Sequence, residues 1–244
     1  AERIEREGFF GVDLNFGCCA AAICKKGCGA ALLKTPDRCF QIVEEVRKRV
    51  AIPVFAKFRT GWENDPENAV RLAKGFQNAG ADLLVFHPRV APDRRTRPPR
   101  RDHIRWVKEA VNIPVFGNGN IFDIADAGKM FLETGCDGVS IGRLAVAKPW
   151  IFATLAGIPV PPDNLYRNTA LRMAHLLFTH FDGTTAVKQF KKWVPYFASN
   201  FKFSHDIFRR LGCCKTLESI EDSVESVFRS APLVAVRPNI NLFG

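Results

Sequence analysis

Residues 11–36 read GVDLNFGCCAAAICKKGCGAALLKTP, and three kinds of signal follow one another along them. Val12-Asp13-Leu14-Asn15 is a short β-prone run that stops at Gly17, so a strand delivers Asn15 and Cys18 onto the loop at its carboxyl end. In α/β proteins that end is where chemistry sits. Gly27 and Gly29 then allow a tight, closely approached backbone. Thr35-Pro36-Asp37 predicts a helix start, with cap, first-turn proline and acidic residue in order. The unit is strand, thiol loop, helix.

Working outward, Ala1–Gly8 is charged and helix-like, and downstream the unit recurs. The pattern predicts strand Gly11–Asn15, helix Pro36–Arg49, strand Pro53–Phe58, helix Pro66–Ala79, strand Asp82–Phe86 and helix His103–Val111. Strand Pro114–Gly117, helix Ile124–Glu133 and strand Gly138–Ile141 follow. The strands read as apolar on both faces, as buried parallel strands do. Asn64 or Asp65 before Pro66 gives a second cap-plus-proline start, and Gly80 and Gly135 stand where left-handed helix caps belong. Five βα units are visible.

Each predicted strand carries polar groups or glycines at its carboxyl end: Asn15 and Cys18, Lys57 and Arg59, His87 and Arg89, Gly117-Asn118-Gly119-Asn120, then Gly142-Arg143. An open doubly wound sheet uses only the strands beside its switch point, whereas a barrel brings every loop to one mouth. The expected fold class is therefore α/β, a (β/α)8 TIM-type barrel, incomplete, with three strands missing from the front. It occupies residues 1–156. Past Trp150 the rhythm stops, and after the proline-rich linker 157–162 the apolar positions take helical spacing. A small all-α domain over 157–230 and an unassigned tail, 231–244, complete the organisation.

Composition bounds the function. A hydrophobic content of 47% over 244 residues argues for a globular chain with a sizeable core. No apolar run approaches the ~18 residues of a membrane span and no leader opens the chain, so a cytoplasmic protein is expected. Eight cysteines at uneven spacings, two pairs of them adjacent, suit reduced thiols better than a secreted disulfide framework. A net charge of +10 favours a polyanionic partner, although such charge also serves solubility.

Several residue groups carry chemistry. Asn118 and Gly119 after one strand, with Gly142 and Arg143 after the next, supply backbone amides and a guanidinium, as phosphate sites in barrels do. Neither glycine cluster makes a dinucleotide fingerprint, and tight turns are the bland alternative. Lys57 and His87 either cap strand ends or, in one mouth beside a phosphate, stabilise the negative charge of a reduced flavin. Cys18 is an inert core thiol or a proton donor, since free thiols titrate near ~8.5 and stay mostly protonated at neutral pH. No metal site is expected, because Cys18, Cys19, Cys24 and Cys28 form no C-x-x-C and have no histidine nearby. The run RVAPDRRTRPPRRD, residues 89–102, holds six arginines and reads as a projecting basic loop that contacts phosphate, or as a solvated one. In AVKQFKKWVPYFASNF, residues 186–201, Lys188, Lys191 and Lys192 fit RNA backbone contact, while Phe190, Trp193 and Phe197 are more simply core.

Taken together, VDLNFGC, GCGAALL, PVFAKFRTGW, FHPR, PVFGNGN and IGRLAVAKPWIF, in that order and ahead of KQFKKWVPYF, make the chain resemble the tRNA-dihydrouridine synthase family. The resemblance implies an FMN-binding barrel, a helical domain that holds tRNA, and NADPH as the ultimate hydride donor for reducing a uridine to 5,6-dihydrouridine. It implies that Cys18 is catalytic and that Asn15 addresses the target uracil. Lys57 and His87 then contact the flavin ring, Asn118, Gly119, Gly142 and Arg143 its phosphate. The substrate set adds Arg59, Arg89, Arg94, Arg95, Lys188 and Lys191, with a monomer expected for the full-length protein. Three departures stand out: Cys19 where proline is usual, Pro88 where glycine is usual, and Asn120 where an acid is common. The family's first three strands have no counterpart. Two other readings compete, an FMN-dependent barrel reductase of small molecules and an inactive RNA-binding remnant.

Overall fold

The computed structural model describes residues 1–93, 97–162 and 164–242. The chain divides into two compact units, the first holding residues 1–121 and 125–141, the second 122–124 and 142–244.

In the first unit the order is α1 (Glu2–Arg6), β1 (Val12–Asn15), α2 (Ala21–Cys24), α3 (Pro36–Arg49), β2 (Val54–Gly61) and α4 (Pro66–Asn78). It continues with β3 (Leu83–Val90), α5 (Asp102–Ala110), β4 (Val115–Asn118), α6 (Ile124–Thr134) and β5 (Gly138–Ser140). All five strands are parallel and lie in chain order, β1-β2-β3-β4-β5, so the order contains no reversal and no switch point. One face of the sheet packs on helices. Phe58 of β2 lies 5.1 Å from Phe76 of α4 and 4.8 Å from Phe86 of β3, and Phe16 stacks on Phe76 at 5.0 Å. Burying each such ring contributes roughly 1.5–3 kcal/mol.

The opposite face corrects the expectation of strands apolar on both sides. Along β2, Val54, Ala56, Phe58 and Thr60 are buried while Phe55, Lys57 and Arg59 alternate with them and stay half-exposed. β2 and β3 also run past Phe58 and Phe86, pairing Arg59 with His87 and Gly61 with Val90. Lys57, Arg59, His87 and Arg89 are thus inside strands rather than beyond their ends. Polar residues at every second position do not end a strand when one face is open.

Helix starts follow the sequence with one exception. Asp65 caps α4 by accepting from the Glu67 N–H, and Gly80 and Gly135 take positive φ after α4 and α6. Thr35 does not cap α3: its hydroxyl donates to the Leu32 carbonyl instead, tied to the preceding 3-10 turn Gly29–Lys34.

The second unit holds α7 (Arg143–Ala147), α8 (Ile151–Leu155), α9 (Leu165–His180), α10 (Gly183–Ala198), α11 (Ser204–Gly212) and α12 (Leu217–Arg229). Phe190, Trp193 and Phe197 of α10 are buried in its core, with Trp193 stacked on Phe197 at 4.6 Å. The Trp193 indole N–H donates to the Val146 carbonyl and the Asn200 amide to the Ala147 carbonyl, fixing α7 on α10. The tail has no period because backbone bonds pin it irregularly: Val234 bridges Phe201, Lys202 N–H donates to the Leu233 carbonyl and Ala235 N–H to the Asn200 carbonyl.

Candidate functional site

The open face of the sheet gathers the polar residues of the first unit. Asn15 pairs in register with Lys57, and Arg59 with His87; Phe86 pairs with Gly117, which sets His87 beside Asn118. Lys57 Nζ donates to Asn118 Oδ1 at 3.4 Å, and Asn118 Nδ2 donates to the Ser140 carbonyl at 2.7 Å. Burial pushes the Lys57 ammonium below the usual lysine range; Arg59 adds to the shift and Asp13 opposes it. At the turn after β4, Gly119 has φ +127°, and a Cβ there would lie 3.1 Å from the His87 ring. Only glycine leaves that space open.

The thiol loop is held from beneath. Asn15 Oδ1 accepts from the Gly17 N–H at 2.9 Å, closing a turn that presents Cys18. Arg59 Nε donates to the Gly17 carbonyl at 2.8 Å and its Nη1 to Val90 at 3.4 Å, so this guanidinium braces the loop. The Cys18 carbonyl accepts from the Ala30 N–H at 2.8 Å and from Cys24 Sγ at 3.5 Å. A Cβ on Gly29 would come within 2.5 Å of that carbonyl, which requires glycine. Cys18 is half-buried and Cys19 exposed. Cys19 and Cys24 line a cleft of about 910 Å³ with Arg59, Trp62 and Arg89. Cys39, by contrast, is buried, donates to Leu32, and has its pKa pushed by burial to about 12.

The arginine segment is less free than a projecting loop. Asp93, its side chain fully buried, pairs with Arg97 at 2.9 Å and Arg100 at 3.0 Å, and Arg101 pairs with Glu133. Arg89 is buried and donates to Asn120 Oδ1 at 3.0 Å. Asp93 thus ties Arg97 and Arg100 to one buried carboxylate. Arg94 and Arg95 lie outside the described residues.

In the second unit, Gly142 precedes α7 and Arg143 opens it, its guanidinium 5.4 Å from the centre of the Phe122 ring. Lys188 and Lys192 are exposed one turn apart on α10, and Lys191 is half-exposed. Sequence reasoning missed Trp62, whose indole donates to Ala30, and Arg237, and it named Asn120 without its bond to Arg89. For Trp62 the motif containing it gave a signal; Arg237 had none. Among the described residues, no group of three or more His, Cys, Asp or Glu side chains is placed to hold a metal, and no helix is long and apolar enough to cross a membrane.

The dihydrouridine synthase (Dus) family matches residues 1–224. The chain belongs to the dihydrouridine synthase family. Relatives of this Dus chain include tRNA-dihydrouridine synthase B of Pseudomonas aeruginosa, 36% identical over 69% of the chain and 52% of the relative. The same-named protein of Pseudomonas syringae pv. tomato is 33% identical over 82% of the chain and 62% of the relative. The Dus chain thus spans about half to two-thirds of the length of these relatives. Among solved structures, phosphonopyruvate hydrolase complexed with oxalate and Mg matches at 17% identity and a TM-score of 0.48, over 64% of this chain and 58% of that one.

Proposed function

We propose that the chain takes part in flavin-dependent reduction of a uridine in tRNA to 5,6-dihydrouridine. The observation that carries this reading is the polar row on the open face, Asn15 beside Lys57 and Arg59 beside His87, next to the Cys18 loop. Family membership supports tRNA as the substrate and NADPH as the ultimate reductant. Strands in chain order, with helices packed on one face, support a TIM-type barrel to which this chain contributes five βα units.

The residues fit FMN. Lys57 supplies a desolvated ammonium for an electron-rich ring, His87 a second polar group beside it, and Gly119 the clear space that a flat ring system or its phosphate needs. Asn118 and Gly119 at the end of β4 would offer an amide side chain and a close backbone approach to the phosphate; on the second unit, the Arg143 guanidinium is a group of the kind that takes phosphate. When bound and reduced, FMN supplies hydride for carbon-6 of the uracil. Asn15 holds the base at the head of β1. Cys18 gives its proton to carbon-5 from the other side of the ring, and the Gly17 carbonyl bonded to Arg59 keeps that thiol in place. Lys188, Lys191 and Lys192 contact tRNA phosphates.

The test is dihydrouridine formation on unmodified tRNA with FMN and NADPH, read as the mass gain of two hydrogens. Cys18→Ala should lose turnover about 100-fold or more while retaining tRNA. Loss in Cys19→Ala with Cys18→Ala active would reassign the donor to the thiol that lines the cleft.

A further inference from the structure

The cleft beside the thiol loop is larger than a single pyrimidine needs. Its volume of about 910 Å³ lies near the upper end for small-molecule sites, and its walls carry Lys25, Arg59 and Arg89 against one acid, Asp93, which is already paired to Arg97 and Arg100. Among the described residues that line it, Trp62 alone is aromatic. Its ring and backbone are both held. Trp62 Nε1 donates to the Ala30 carbonyl at 2.7 Å, the Gly61 carbonyl just before it accepts from the Ala91 N–H at 2.7 Å, and Lys34 Nζ stands 4.1 Å from the ring centre. Gly61 takes φ +127°, and a Cβ there would lie 2.7 Å from the Asn68 amide nitrogen, so the turn that sets Trp62 needs glycine. Ala30 also links the ring to the thiol loop. Its own N–H donates to the Cys18 carbonyl at 2.8 Å, so two hydrogen bonds through one fully buried residue fix the indole relative to Cys18. All of these residues belong to the first unit.

We propose that Trp62 is a stacking platform for the base of the nucleotide next to the target uridine, and so a specificity-determining residue for the RNA substrate. A uridine that leaves the stack strips its neighbour of a stacking partner, and a fixed indole beside the Cys18 loop replaces it. Every base has a face that stacks on an aromatic ring, at about 5-fold to 150-fold in affinity per base. Lys34 puts a cation over the indole, and exposed Lys25 at the rim supplies charge for the connecting phosphate. A polyanion with flat bases matches both the charge and the ring of this cleft; an acidic peptide matches only the charge. The proposal rests on the reading that the Cys18 loop receives a uridine of RNA.

Two RNA strands of equal length and charge test it by binding alone, with no flavin and no turnover. One holds a single uridine among abasic riboses; the other has adenosine on both sides of that uridine. The wild-type chain should bind the adenosine strand about 10-fold or more tightly than the abasic one, and Trp62→Ala should shrink that gain to about twofold or less while binding the abasic strand as wild type does. Trp62→Phe, which keeps a ring without the bond to Ala30, should retain part of the gain. Should Trp62→Ala fail to fold, Trp62→Leu keeps apolar volume and carries the comparison. Equal losses on both strands would overturn the proposal and make Trp62 a pin for the thiol loop. A gain that persists without the indole, or no gain in the wild type, would also overturn it. The uridine-reducing reading fails separately: if the adenosine gain depends on Trp62 but tRNA acquires no dihydrouridine, the stacking site stands. If dihydrouridine forms and the gain ignores Trp62, only the stacking site falls.

Discussion

Lys57 shows what a desolvated charge costs the fold. Its side chain is half-buried, with Asn118 as hydrogen-bond partner, and burial, then Arg59, hold its pKa below the unfolded value. Between the folded and unfolded pKa the unfolded chain binds more protons, so stability rises with pH through that window; below it the full cost of burying the charge is present. Lys57→Met should therefore raise the melting temperature at neutral pH, at roughly 2–4 °C per kcal/mol for a chain of this size, and flatten the alkaline rise. A lower melting temperature than wild type at neutral pH would show that its bond to Asn118 outweighs desolvation. At this scale the sequence was partly legible. Lys57 and His87 stood out as ionisable residues in apolar runs, but the role of Arg59 as a brace under Gly17 depends on a 2.8 Å bond between distant segments that no local pattern encodes.

The elements were more legible where local chemistry acts alone. Helix α3 matches Pro36–Arg49 because the proline at its first turn and its apolar period suffice, even with Thr35 turned to Leu32. Helix α11 went unread because Phe203 precedes it without a side-chain cap, and β2 and β3 were cut short because their open-face charges resemble strand ends. The arginine run misled through composition, since pairing to Asp93 is a tertiary fact. Burial pushes the Asp93 carboxyl up, and hydrogen bonds from Arg100 and Arg97 more than offset that, leaving it below the usual range. Its stabilisation is thus present above the unfolded pKa and lost as pH falls through the folded one. Asp93→Asn should cost about 1–2 kcal/mol, less than a fully buried pair because Arg97 is largely solvated, and should speed tryptic cleavage after Arg100. Unchanged cleavage would mean the segment is held by its other contacts. On the proposed reading the exposed lysines of α10 contact RNA: replacing Lys188 and Lys192 with alanine should reduce the slope of log affinity against log salt for tRNA by about 1–2. An unchanged slope would make that face a solvated surface.

At the scale of the whole molecule, five strands in chain order leave β1 and β5 each with one neighbour among the described strands, and the polar row alternates with the buried side chains Val54, Ala56 and Phe58 of β2. The parallel order follows from βα repetition and was legible in the sequence, as was the turn to helices after Trp150. The docking of the tail was not, because backbone bonds between residues 199–204 and 233–239 leave no side-chain period to read. On the proposed function, the flavin ring binds on the open face of β2, β3 and β4. Titration of FMN into the chain, with Lys57→Met and the double variant Lys188→Ala, Lys192→Ala as comparison, tests it most directly. Lys57→Met should bind FMN about 10-fold more weakly or worse, and the double variant should match wild type. Equal FMN affinity for wild type and Lys57→Met would contradict it.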